Sequence, residues 1–172
     1  TSDGFVARIA NNGSGILDLT YMGTQSYDAV YGVKFDNNGF PYVMGTSEGR
    51  WPVLNAAFSN PNSRQFVAKL EPDLSSFIYS TVFGSGAARP NISPVAFLVD
   101  RCENVYISGW GGWIQPSGTD PFNMSGTLGM PVTPDAIKSI TDNMDFDFIV
   151  IQKDAASLLY ATFFGQSGGE GE

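Results

Sequence analysis

FVAKLEPDLSSFIYSTVFG, residues 66–84, decides the fold, because the chain repeats it. FVARIANNGSGILDLTYMG, residues 5–23, has the same span from Phe to Gly without a gap. FIVIQKDAASLLYATFFG, residues 148–165, reads as a third copy, one residue shorter in its turn. Each copy is a pair of apolar runs around a polar turn rich in Asn, Gly, Asp or Pro, which is the signature of a β-hairpin. The runs are not cleanly alternating. Phe66, Val67 and Ala68 follow one another, as do Val82 and Phe83, so both faces of these strands are expected to be covered.

A second phrase lies between the copies. DNNGFPYVMG (36–45) and DRCENVYISG (100–109) both open on Asp, close on Gly and carry a Tyr at the same internal place, Tyr42 and Tyr106. The hairpin copies start at Phe5 and Phe66 and the second phrase at Asp36 and Asp100, a period of 61 to 64 residues. The interval from Phe66 to Phe148 is longer, and the surplus falls in one segment, WGGWIQPSGTDPFNMSGTLGMPVTP at 110–134.

The unit therefore predicts four antiparallel strands. Strand a spans 30–36 or 94–100 and strand b 41–45 or 105–109. Strand c spans 5–9, 66–70 or 148–151, and strand d the run before each terminal Gly. A four-stranded sheet that is apolar on two faces must stack between similar sheets, as blades do in a β-propeller. A β-sandwich is the competing architecture, but it buries one face of each sheet and needs no repeats. The expected fold is all-β, with no substantial helix. It is a partial propeller with a half-blade at 1–23, a blade at 24–84, a blade at 85–165 carrying the inserted loop, and at 166–172 a loop to a next blade. Two and a half blades fall short of the roughly 4–8 that close a ring. The expectation is a segment of a longer chain, or else a unit completed by a neighbouring subunit.

FVAKL at 66–70, FIYSTVFG at 77–84, and Asp100 with VYISG at 105–109 resemble the seven-bladed β-propeller repeat family, SBBP. TPDAIKSI at 133–140, with VLNAAFSN at 53–60 as a weaker counterpart, resembles that family's lead-in to strand c. The resemblance covers most of the chain outside 110–132. It implies a large secreted or cell-surface protein, of the kind found in gliding and polysaccharide-using Bacteroidetes-type bacteria. The inserted loop and Cys102 in the a–b turn depart from the family pattern.

Composition narrows the function. The 172 residues carry 17 acidic and 9 basic side chains and no His, for a net charge of −8. Nucleic acid is not an expected partner, because phosphate binding needs a basic surface. No apolar run is long enough for a membrane helix, so no membrane insertion is expected. Cys102 is the one cysteine and has no His to activate it, so it is read as a quiet turn residue. TSDGFVARI shows no basic segment followed by an apolar one, so no leader is visible.

Short a–b and c–d turns place the long b–c and d–a connections on the opposite rim, where binding residues concentrate. The three tryptophans, Trp51, Trp110 and Trp113, fall there. One reading makes them an aromatic platform for a sugar ring or a protein partner, with Arg50, Gln115, Asp120 and Asn123 supplying hydrogen bonds. In the other, Trp51 and Trp110 pack blade interfaces and Trp113 alone is exposed. No catalytic residue, cofactor or metal is expected: there is no His-based triad, HExxH or Walker motif. Asp142, Asp145 and Asp147 are read as solvated charges at a sheet edge, rather than as a glycosidase pair or, with Asp135, a Ca²⁺ site. Asn12, Asn91 and Asn123 begin Asn-x-Ser matches that are read as chance. The expected role is a non-catalytic scaffold, adhesion or ligand-binding module. The alternative is part of a propeller glycosidase or polysaccharide lyase.

Overall fold

A computed structural model describes residues 2–112 and 124–166. Ten strands form three antiparallel sheets. β1 (Gly4–Ile9) and β2 (Ile16–Met22) make a hairpin. β3 (Asp28–Phe35), β4 (Pro41–Ser47), β5 (Gln65–Leu70) and β6 (Phe77–Phe83) make the second sheet in chain order. β7 (Ser93–Val99), β8 (Val105–Trp110), β9 (Phe146–Ile151) and β10 (Leu158–Phe164) make the third. Among the described residues the only helical element is a 3₁₀ turn at Lys153–Ala155. This is the expected partial propeller: two four-stranded blades and a half-blade.

The sheets stack face to face through two cores. Val6 and Met22 of the hairpin meet Val43, Phe66, Ala68 and Val82 of the middle blade. On the other side of that blade, Tyr42, Met44, Val67 and Phe83 meet Val105, Ile107, Ile149, Ile151 and Phe163. Neighbouring residues of one strand thus serve opposite cores. This is why Phe66, Val67 and Ala68 are all apolar and all fully buried. The blades converge at their first strands, where the Phe97 ring on β7 lies against Gly32 on β3. Segments 53–60 and 133–138 each run along the outer edge of a fourth strand: Leu54 pairs with Ser80, and the Thr133 amide donates to the Ala161 carbonyl. Each covers an edge that would otherwise offer unpaired amides.

The two outermost flanks are apolar and open. Phe5 is 62 % and Tyr21 73 % exposed on the first. On the last, Phe146 is 46 % and Phe164 71 % exposed. The half-blade and the last blade therefore depart from the two-sided burial expected of strands c and d, because each has a neighbour on one side only.

The structure corrects the third repeat. Gly45 pairs with Phe66 and Phe66 with Val82; Gly109 pairs with Asp147 and Asp147 with Phe163. The hairpins turn between Leu70 and Phe77 and between Ile151 and Leu158, which are turns of equal length. The third copy is therefore not shorter. It starts at Asp147, which occupies the place of Phe5 and Phe66. Phe148 faces the open flank, between Tyr106 and Tyr160 at ring-centroid distances of 6.5 and 6.3 Å.

The repeated phrase has a physical basis at each end. Asp36 Oδ1 accepts the amides of Asn38 and Phe40 at 2.9 and 3.0 Å, and Asp100 Oδ1 accepts those of Cys102 and Asn104, both at 2.8 Å. One carboxylate thus closes each a–b turn. The closing glycines lie opposite β-bulges in strand a, between Val30 and Gly32 and between Pro94 and Ala96. A Cβ on Gly45 would fall 2.5 Å from Phe66 Cζ and collide with the Ala29 carbonyl oxygen. Gly45→Ala is expected to destabilise the chain by about 2 kcal/mol, through overpacking and loss of the bulge. Urea denaturation would measure it.

Candidate functional site: the long-loop rim

The rim is built from the loop after β4 and the loops leading into β3 and β7. Trp51 is a packing residue. It is 5 % exposed, its ring stacks on Phe66 at 3.5 Å, and its Nε1–H donates to Ser80 Oγ at 2.9 Å. Neither face is free to act as an open platform. Arg50 beside it is exposed and enters none of the ion pairs among the described residues. Trp110 ends β8, partly buried, and pairs with Phe146 at the open flank. Trp113, Gln115, Asp120 and Asn123 lie outside the described residues.

Sequence reading missed Arg64. A cavity of about 230 Å³ is lined by Arg50, Arg64, Trp51, Ser59, Asn62 and Ser63, among others. Arg64 Nη1 donates to the Glu48 and Gly49 carbonyls at 2.7 and 2.5 Å, while its Nε is buried without a partner. A second hollow, lined by Thr24, Gln25 and Ser26, lies against the other side of Arg50. No single-residue signal marks Arg64. Only the return of the b–c loop onto its own start brings it beside Arg50.

Buried polar residues tie the rim together. Gln65 Oε1 accepts the Asn91 backbone amide at 2.6 Å, and Asn91 Nδ2 donates to the Gly126 carbonyl at 2.7 Å. The first of these bonds docks the lead-in to the last blade onto the middle blade, and the second ties Gly126 to that lead-in. Asn91 is 1 % exposed, so its Asn-x-Ser match is closed off in the fold.

The acidic cluster differs from the expectation. Asp145 is buried and its carboxylate binds Lys138 Nζ at 2.8 and 2.9 Å. Asp147 is fully buried, on the strand face it shares with Ile149 and Ile151, and neither oxygen has a hydrogen-bond partner. Burial raises its carboxyl from 3.8 to about 8. Neither is a solvated edge charge. β9 is an inner strand of its sheet, and the face that carries Asp147 packs against the middle blade while the other face looks onto the open flank. Asp142 stays exposed, its Oδ1 accepting the Met144 amide, and Asp135 is exposed as well. Among the described residues no group of three or more His, Cys, Asp or Glu is arranged to hold a metal ion. Cys102 is an exposed free thiol in the a–b turn.

On the opposite rim, an ionic cluster spans the two full blades. Lys69 Nζ lies 2.9 Å from Asp36 and 2.8 Å from Glu103, and Lys153 Nζ lies 2.7 Å from the other Glu103 oxygen. Tyr42 OH donates to Glu103 at 3.1 Å. Glu103 occupies the left-handed turn position (φ 65°) that Gly39 holds in the preceding blade (φ 85°). The side chain placed there reaches back to pin the neighbouring sheet. Lys153 belongs to the β9–β10 turn, so this contact puts the a–b and c–d turns on one rim, away from Arg50.

No family model matches this chain, and no curated protein matches it.

Proposed function

We propose that this chain is a non-catalytic β-propeller segment of a large secreted or cell-surface bacterial protein, of the type the SBBP-like repeats resemble. Its task is to scaffold a ring and to present the long-loop rim for adhesion or ligand binding, to a glycan or a surface protein. The observation that carries this reading is the state of the two outer flanks. The middle blade is covered on both faces, whereas Phe5 with Tyr21 and Phe146 with Phe164 stand open at the two sides of the stack. Apolar flanks of this kind suit further blades, from the same protein or from a neighbouring subunit. The rim supports the second half of the reading: an exposed arginine, without an ion pair among the described residues, beside a polar cavity.

The isolated chain is expected to self-associate through these flanks in sedimentation velocity and to bind a hydrophobic dye. Phe5→Asp with Tyr21→Asp should weaken both signals, as should Phe146→Asp with Phe164→Asp. A monodisperse monomer that binds no dye would overturn the flank assignment.

A further inference from the structure

We propose that the cavity between Arg50 and Arg64 binds one acidic sugar residue, a uronate, by its carboxylate. This deepens the binding-rim reading and rests on it.

The chain has 17 acidic and 9 basic side chains, yet this cavity gathers two arginines and none of its described lining residues is Asp or Glu. Arg64 is held in place by two loop carbonyls, so its guanidinium is pre-set before any ligand arrives. Its Nε–H is enclosed by protein, so the donor left for an anion is Nη2, which makes no hydrogen bond among the described residues. Arg50 is exposed, lines the same cavity and carries no competing ion pair among the described residues. Two guanidiniums at one cavity suit a carboxylate: Arg50 can engage it through paired N–H donors and Arg64 through its remaining terminal nitrogen.

The remaining lining selects the rest of the ligand. Ser59, Asn62 and Ser63 offer two hydroxyls and a carboxamide, which both donate and accept, as the hydroxyls of a sugar ring do. Val53, 46 % exposed, supplies an apolar patch for the ring's C–H face. A volume of about 230 Å³ accommodates a single ring and not a chain, so the rest of a polymer would run out past Arg50. The hollow against Thr24, Gln25 and Ser26 on the far side of Arg50 provides the course for it.

The test titrates the whole chain with a galacturonic acid trimer, the neutral galactose trimer and N-acetylglutamate, followed by calorimetry and by backbone amide shifts. Saturable binding of the galacturonate trimer is expected, with shifts confined to the residues around Gly49 and Ser63 and weakening as salt rises. Arg50→Gln should weaken it about tenfold while leaving the melting temperature unchanged, and Arg50→Lys should recover part of the loss. Equal or tighter binding of N-acetylglutamate would overturn the sugar assignment. Neutral trimer binding that Arg50→Gln abolishes would overturn the acidic assignment and leave the rim reading standing. Absence of binding by all three would overturn the proposal. The rim reading is judged separately with the whole chain on an array of neutral and acidic glycans and falls if none is bound.

Discussion

Lys69→Ala is expected to lower stability by about 3–5 kcal/mol, because it leaves buried carboxylates without their counter-charge. The Lys69 side chain is 8 % exposed, that of Asp36 0 % and that of Glu103 14 %. Asp36 and Lys69 belong to the middle blade and Glu103 to the last, so the change also loosens the seam between blades. In thermal unfolding the shift should be roughly 10 °C, given the sensitivity of a domain this size. The triple change Lys69→Met, Asp36→Asn and Glu103→Gln should recover much of the loss, since it removes the stranded charges along with the pair. A single alanine variant that melts with the wild type would show that the cluster is solvated and weak.

The same cluster sets an acid limit. For Asp36, burial alone would raise the carboxyl, but the Lys69 ammonium and the amides of Phe40 and Asn38 outweigh it and hold it below its ordinary 3.8. Glu103 is held below its ordinary 4.5 by hydrogen bonds from Lys153 and then Lys69. Depressed folded values mean that the stabilisation is complete above the ordinary carboxylate range. It is lost as pH falls through that range to the folded values. Acid unfolding should therefore set in below about pH 4, and earlier in Glu103→Gln.

Asp147→Asn is expected to act in the opposite direction. In the wild type, folding encloses a carboxylate with no partner, and its value rises from 3.8 to about 8. The folded chain must then take up a proton that the unfolded chain has released. Stability accordingly falls as pH climbs from about 4 to about 8, at up to about 1.4 kcal/mol per pH unit, and levels off above that. Asparagine has nearly the same shape and cannot ionise. It should match the wild type near pH 4 and exceed it by about 5 kcal/mol at pH 8. Urea denaturation at several pH values would show this as a flattened pH profile; parallel profiles would mean that the carboxylate is hydrated in the folded chain.

Much of the architecture was legible in the letters. Repeated spacing identified the hairpins, the period identified the blades, and adjacent apolar residues implied sheets covered on two faces. Aligning Phe148 with Phe66 matched like letters, whereas the hydrogen-bond register matches Asp147 with Phe66. Because side chains alternate along a strand, that one-residue shift exchanges the open flank for the buried core. It turned Asp147 from an apparent edge charge into an enclosed one. The site was less legible. Trp51 was visible as an unusual residue, but whether it faces ligand or Phe66 depends on a contact fifteen residues away. Arg64 gave no signal at all.

By itself, then, the sequence determined how many strands there are, their order and their grouping into units. These depend on local turn chemistry and on hydrophobic patterning, which neighbouring residues settle among themselves. Tertiary structure alone decided which strand face meets which core, how Glu103 reaches Lys69 and why two arginines share one cavity. These are relations between chain segments brought together when apolar sheets stack, and the interaction energies of charged and polar groups change with the burial that stacking imposes.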